Sequence, residues 1–132
     1  MTHQTPFSNP VRVMVAEDDP DMSHVLEFLL SREGFSVRLA KDGRDALRAI
    51  AVEDPFDLVI LDVMMPFASG IQVVRALRQQ AGWRDVPVMM VSGKGSESDI
   101  VAAIEAGASD YLTKPFRPRE LVARVRAQIT RG

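Results

Sequence analysis

The regular alternation of short apolar runs with amphipathic helical segments is the feature that most constrains how this chain can fold. Three runs consist almost entirely of apolar residues, many of them β-branched, which is typical of strands buried on both faces. The second run alternates apolar with polar residues and predicts a strand with one wetter face, at a sheet edge. The five predicted strands are Val11–Ala16, Phe35–Ala40, Leu58–Leu61, Val86–Val91 and Ser109–Thr113.

The segments between these runs carry apolar residues at helical spacing. Met22, Val25, Leu26, Leu29 and Leu30 recur along one face of a helix after the first strand, and shorter versions of this pattern follow the other four. Strands that alternate with helices predict an α/β fold, here a (βα)5 doubly wound parallel sheet with helices on both faces. The polar, proline-containing start predicts a flexible N-terminal tail over residues 1–10, and residues 11–132 are predicted to form a single domain.

Several helix ends carry their own signals. Ser69 with Gln72, and Ser96 with Asp99, resemble capping boxes, the second with aspartate in place of glutamate. Gly107 falls where the fourth helix should stop. These signals support the helix positions that the apolar spacing predicts.

Composition narrows the possible functions. The chain has 132 residues, no cysteine and a net charge of −2. The absence of cysteine excludes disulfides and thiol catalysis, and the charge gives no reason to expect direct nucleic-acid or membrane binding. The start lacks the features of a signal peptide, and no window reaches the roughly 18 apolar residues of a membrane-spanning helix. The predicted location is the cytoplasm.

Polar side chains follow four of the five predicted strands. In a parallel α/β sheet, ligands bind beyond the carboxyl ends of the strands, so these residues are expected to meet at one rim. They are Glu17, Asp18 and Asp19 after the first strand, Asp62 after the third, Ser92 after the fourth and Lys114 after the fifth.

Clustered carboxylates with a lysine and a hydroxyl suit phosphoryl transfer. Acids gathered in one cleft must take up protons or a cation, and oxygen ligands favour Mg²⁺. A carboxylate can itself be the nucleophile and form an aspartyl-phosphate, and Asp62, central among the strand ends, is the candidate. Taken singly, each residue has a plainer interpretation: Asp62 as a turn residue, Ser92 as a loop hydroxyl, Lys114 as a surface lysine. Asp19, followed by a proline, is better explained as a helix N-cap than as a metal ligand.

Four motifs in this order resemble the receiver domain of bacterial response regulators, the phospho-acceptor part of two-component signalling. They are "VAEDD", "LDVMMP", "VSGK" and "DYLTKPF", and the resemblance runs from Val11 to the C-terminus. It implies a flavodoxin-like sheet with strand order 2-1-3-4-5. It also implies a phosphorylation-dependent switch that takes a phosphoryl group from a histidine kinase or a phosphotransfer protein.

The resemblance also implies roles for individual residues. Asp62 would accept the phosphoryl group and, with Asp18, bind Mg²⁺ directly. Glu17 would act on the ion largely through water, and the backbone carbonyl of Met64 would be a further ligand. Lys114 would pair with the phosphoryl group.

The remaining implied roles concern the switch and the chain after the fifth strand. Ser92 would hydrogen-bond the phosphoryl group, and Tyr111 would be the aromatic residue that changes rotamer with it. The Lys114–Pro115 peptide bond would be cis, as it often is in this family. Partner binding would change on the face formed by the fourth helix, fifth strand and fifth helix. The chain would be a monomer or a weak homodimer through that face, with an unknown downstream effector.

Two other classes of function compete with the switch. Phosphatases with an aspartate nucleophile typically carry a second acid two residues further on, where this chain has Met64. A flavin or nucleotide binder would need a phosphate loop rich in glycine, serine or threonine after the first strand, where this chain has Glu-Asp-Asp. A regulatory domain is therefore predicted rather than an enzyme, with only Mg²⁺-dependent self-phosphorylation from small donors and slow self-dephosphorylation.

Overall fold

A computed structural model of the chain describes residues 9–130, in which strands and helices alternate without exception. The elements are β1 (Arg12–Ala16), α1 (Pro20–Arg32), β2 (Ser36–Ala40), α2 (Gly43–Val52), β3 (Leu58–Leu61), α3 (Gly70–Gln79), β4 (Val88–Ser92), α4 (Glu97–Ala106), β5 (Asp110–Thr113) and α5 (Pro118–Thr130). The predicted tail, residues 1–10, lies outside the described residues except for its last two. Its flexibility and the domain boundary at residue 11 therefore stay predictions.

The strands form one parallel sheet in the order β2-β1-β3-β4-β5. This confirms both the predicted α/β class and the strand order implied by the resemblance, with β2 at an edge. Alternate residues of the sheet point into two separate cores, because successive side chains of a strand face opposite sides. Val13 and Val15 pack with α1 and α5, while Met14 and Ala16 pack with α2, α3 and α4. No helix within residues 9–130 is long and apolar enough to cross a membrane.

The fourth strand begins and ends later than its apolar run predicts. Val86 donates its N–H to the carbonyl of Trp83 in a turn, and Pro87 has no N–H to give to a sheet ladder. The strand therefore starts at Val88 and includes Ser92 as its last residue, where the sequence predicts Ser92 just beyond the strand.

One of the two predicted capping boxes is complete. Ser69 accepts from the N–H of Gln72, whose side chain accepts from the N–H of Ser69. In the other, Ser96 accepts from the N–H of Asp99, but its hydroxyl, not its N–H, donates to the Asp99 carboxylate at 2.6 Å. The aspartate side chain is one methylene shorter than that of glutamate. The predicted hydrogen bond from the Ser96 N–H to the Asp99 side chain is therefore wrong.

Candidate functional site

The sheet register brings the ends of β1 and β3 together. Ala16 lies opposite Leu61, and the N–H of Asp62 donates to the carbonyl of Ala16 at 3.1 Å. Glu17 and Asp62, the next residues of each strand, therefore leave the sheet side by side. Both are largely buried, with 4% and 8% of their surface exposed.

Three carboxylates converge at this rim. One oxygen from each of Glu17, Asp18 and Asp62 lies within 4.8 Å of the other two, and Asp18 is exposed to solvent. A hard divalent cation such as Mg²⁺ prefers such oxygen ligands and keeps waters in its remaining positions, which the exposed side of the cluster allows. The donor set therefore fits Mg²⁺.

Lys114, the residue that follows the carboxyl end of β5, contacts the same cluster. Its Nζ lies 2.7 Å from Glu17 Oε1 and 3.0 Å from Asp62 Oδ2. Burial alone would lower the pKa of Lys114, but the hydrogen bonds and charges of Glu17 and Asp62 outweigh it and raise the pKa above the ordinary lysine value. The ammonium is thus held in its charged form between the two acids.

Glu17 is the most enclosed member of the cluster. Burial raises the pKa of its carboxyl, and the charge of Asp62 adds to this, while hydrogen bonds from Lys114 and the N–H of Asp19 act against it. The resemblance implies that Glu17 acts on the metal largely through water, and the structure adds a direct ion pair of Glu17 with Lys114. The pair joins residues 97 positions apart, so no local pattern indicates it.

Two other predicted site residues lie at the end of β4 and in the loop after β3. Ser92 is buried at the end of β4, and its hydroxyl accepts from the N–H of Lys94 at 3.2 Å. The N–H of Met64 donates to Asp62 Oδ1 at 3.2 Å, while its side chain is 59% exposed. The role of the Met64 carbonyl as a metal ligand stays a prediction.

Tyr111 lies in the core, with its hydroxyl directed at the loop after β4. That hydroxyl donates to the backbone carbonyl of Lys94, and burial raises the pKa of the phenol. The Lys114–Pro115 peptide bond is cis, as the resemblance implies. Tyr111 is therefore hydrogen-bonded to the loop that follows Ser92, and its role as a switch residue stays a prediction.

Asp19 caps α1, as predicted. Its side chain accepts from the N–H of Asp21 at 3.0 Å, and Pro20 is the first residue of the helix. Asp19 is not among the three acids that lie close enough together to share an ion.

Gly70 supports the site and was missed by the sequence analysis. Its N–H donates to the carbonyl of Val63 at 2.9 Å, and a Cβ at this position would lie 2.3 Å from the carbonyl oxygen of Asp62. Only glycine fits there without moving the backbone that carries Asp62. Glycine is a poor helix former, so its place directly after the Ser69 cap was a signal that could have revealed this contact.

Comparison with known proteins agrees with this geometry. The family model described as response regulator receiver domain matches residues 13–126. This chain belongs to the response regulator receiver domain family. Asp62, the candidate phospho-acceptor, directly follows β3, the central strand of the sheet.

Individual relatives of this receiver domain are regulators. The DNA-binding response regulator MtrA of Mycolicibacterium smegmatis is 45% identical over 92% of this chain and 51% of its own length. The chain spans about half the length of the curated relatives it matches.

Solved receiver structures have the same fold. The receiver domain of the Francisella response regulator 1452 has a TM-score of 0.82 and 32% identity, covering 90% of this chain and 96% of that one. The receiver domain of sensor histidine kinase PA1611 from Pseudomonas aeruginosa PAO1 has a TM-score of 0.84 and 29% identity, covering 92% and 98%. That structure holds a magnesium ion coordinated in its active-site cleft.

Proposed function

We propose that this receiver domain is a switch in which Asp62 accepts a phosphoryl group from a histidine kinase or a phosphotransfer protein. The observation that carries the proposal is the convergence on Asp62 of two further carboxylates and the Lys114 ammonium. Acids that serve only as solvated surface groups do not require a partly buried lysine between them.

The residues that would hold Mg²⁺ are Asp18 and Asp62 directly, Glu17 largely through water, and the Met64 carbonyl. When bound, the ion supplies neutralisation of the charge that develops on the transferred group. The PA1611 receiver, with magnesium in its cleft, supports this assignment by similarity.

The chain's own residues divide the work of transfer. A carboxylate oxygen of Asp62 attacks phosphorus, and the bond from phosphorus to the donor histidine nitrogen breaks, so that the electron pair leaves with the imidazole. Lys114 offsets negative charge on the phosphoryl oxygens, and the Ser92 hydroxyl donates a hydrogen bond to one of them. The product is an aspartyl-phosphate, which adds roughly two negative charges at this point.

The switch would work through Ser92 and Tyr111. Ser92, drawn toward the phosphoryl group, displaces the loop whose Lys94 carbonyl accepts from Tyr111. The two arrangements of this loop and of Tyr111 pre-exist, and phosphorylation changes their populations. Partner binding then changes on the face formed by α4, β5 and α5. The domain is a monomer, or a weak homodimer that forms through this face.

The output of the switch is proposed to be a change in binding to an effector protein. MtrA is named a DNA-binding response regulator, but the chain covers only 51% of it. We propose that these 132 residues themselves act on an effector protein, without direct nucleic-acid or membrane contact, in the cytoplasm. The competing proposal, a phosphatase with Asp62 as nucleophile, lacks an acid at Met64 to serve as acid and base.

Intact-protein mass spectrometry tests the proposed function. After incubation with acetyl phosphate and Mg²⁺, we expect a gain of one phosphoryl group per chain, and no gain when EDTA removes the metal. Slow loss of the group after the donor is removed would agree with a regulatory domain that only self-dephosphorylates. Release of inorganic phosphate in many turnovers without an accumulated phospho-protein would instead indicate the phosphatase.

Replacing Lys114 with methionine is expected to separate metal binding from phosphoryl uptake. The ammonium holds Glu17 and Asp62 through hydrogen bonds, so its removal should tighten Mg²⁺ binding about tenfold, or roughly 1.4 kcal/mol. Uptake from acetyl phosphate should slow about a hundredfold, because a donor to the transferred group is lost. Titration calorimetry measures the first change and mass spectrometry the second.

Lys41→Met is the matched control for that substitution. Lys41 is an exposed lysine that directly follows the edge strand β2. Weaker Mg²⁺ binding in Lys114→Met, or equal effects of the two substitutions, would contradict the role assigned to Lys114.

A further inference from the structure

All three guanidinium nitrogens of Arg78 donate hydrogen bonds to backbone carbonyls. Nε and Nη2 both donate to the carbonyl of Gly107, at 3.1 and 2.7 Å, and Nη1 donates to the carbonyls of Arg84 at 2.8 Å and Val86 at 2.6 Å. Within residues 9–130, no carboxylate lies within ion-pairing distance of this cation. A partly buried arginine held in this way joins pieces of backbone, while the charge of Asp85 acts on it only from beyond ion-pairing distance.

The joined pieces belong to three different parts of the fold. Arg78 itself lies in the last turn of α3, Arg84 and Val86 lie in the connection to β4, and Gly107 is the C-cap of α4. The fit at Gly107 is close, since a Cβ there would lie 3.0 Å from Arg78 Cγ and Nε. Arg78 therefore links the C-terminal end of α4 to α3 and to the connection just before β4.

The N-terminal half of α4 is buried less, and there Ile100 packs against the core while only partly buried. Among its ten residues only Ala103 is buried, and residues 93–98, which lead into its first turn, are exposed. Its N-terminal end continues from the loop that contains Lys94, the residue whose carbonyl accepts from Tyr111. The two ends of the helix thus differ: one is fixed by a charged clamp, and the other follows the loop next to Ser92.

We infer that Arg78 is a positioning residue that fixes the C-terminal end of α4, so that phosphorylation of Asp62 swings only the N-terminal end of this helix. The inference rests on the proposed function, because it names the fixed point about which that switch moves. Without the clamp, displacement of the loop at Lys94 would shift or loosen the whole helix. The orientation of the α4 surface toward a partner would then no longer depend only on whether Asp62 is phosphorylated.

Hydrogen–deuterium exchange followed by mass spectrometry, with acetyl phosphate and Mg²⁺ in excess throughout, tests this inference. In the unmodified chain, phosphorylation should change exchange at residues 93–100 and leave residues 106–109 within about twofold. In Arg78→Ala, residues 106–109 should exchange about tenfold faster before phosphorylation, and the phosphorylation-dependent change should extend through them. Phosphoryl uptake at Asp62 should stay within about twofold of normal, because Arg78 lies at the opposite end of the sheet.

Two further variants keep the experiment decisive. Arg78→Lys retains the charge and most of the buried chain but lacks the planar fork that reaches carbonyls on two sides. It should still loosen residues 106–109, although less than alanine. Arg75→Ala removes an exposed arginine from the same helix and should leave the exchange pattern unchanged.

Each failure has its own signature. If the unmodified chain gains no phosphoryl group, the proposed function itself is overturned. If it gains the group but residues 106–109 respond as strongly as residues 93–100, or if Arg78→Ala and Arg78→Lys retain the normal pattern, the fixed point is not at Arg78 and the inference fails alone.

Discussion

An Asp62→Asn protein is expected to gain no phosphoryl group from acetyl phosphate under conditions in which the unmodified chain is fully converted. The amide is a poor nucleophile, and the change also removes a carboxylate from the proposed metal site. Asp62 lies 3.0 Å from the Lys114 ammonium, which would offset negative charge on the phosphoryl group that we propose Asp62 accepts. Intact mass spectrometry of both proteins, sampled over the same time course, measures the difference.

Asp19→Asn provides the control for this result. It makes the same chemical change at the same rim, but Asp19 serves as the cap of α1, and asparagine is an equally good cap. We expect normal phosphoryl uptake from this variant. A phosphoryl group on Asp62→Asn, or loss of uptake in both variants, would show that the acceptor lies elsewhere or that the rim acts without a unique nucleophile.

Replacing Trp83 with alanine is expected to have the largest effect on stability, about 3–5 kcal/mol in the free energy of unfolding. Trp83 is 1% exposed and packs against Phe56 with ring centroids 5.9 Å apart, in the core that α2, α3 and α4 share. Its loss leaves a large cavity, and a typical domain has only about 5–15 kcal/mol of stability to lose. Urea unfolding followed by circular dichroism measures the change, because the variant has no tryptophan for fluorescence.

Phe28→Ala is the matched aromatic truncation at the surface. Phe28 is 62% exposed and stacks only loosely on Arg32, so the expected loss is below about 1 kcal/mol. Trp83 also lies in the connection before β4, at the end of the sheet away from Asp62, so the folded fraction of Trp83→Ala should take up phosphoryl normally. A stability change as small as that of Phe28→Ala would contradict the packing described for Trp83.

The alternation of strands and helices was predictable from the sequence because the signals that encode it are local, whereas the strand order came only from the resemblance to receiver domains. Apolar runs such as Leu58–Leu61 indicate a strand that is buried on both faces. The spacing of Leu26, Leu29 and Leu30 indicates which side of α1 faces the sheet. Strand boundaries were less predictable. The start of β4 depends on Pro87 having no N–H to pair and on a turn at Trp83, neither of which apolar spacing registers.

The sequence by itself determined the elements, their alternation, and the residues that stand at the carboxyl ends of the strands, because side-chain periodicity and chain connectivity are properties of neighbouring residues. Only the tertiary structure decided which of those residues touch. The ion pair of Lys114 with Glu17, the space that only Gly70 can occupy beside Asp62, and the carbonyls gathered by Arg78 all join distant segments. Such distances are set by how helices pack on a twisted sheet, and no run of neighbouring residues encodes them.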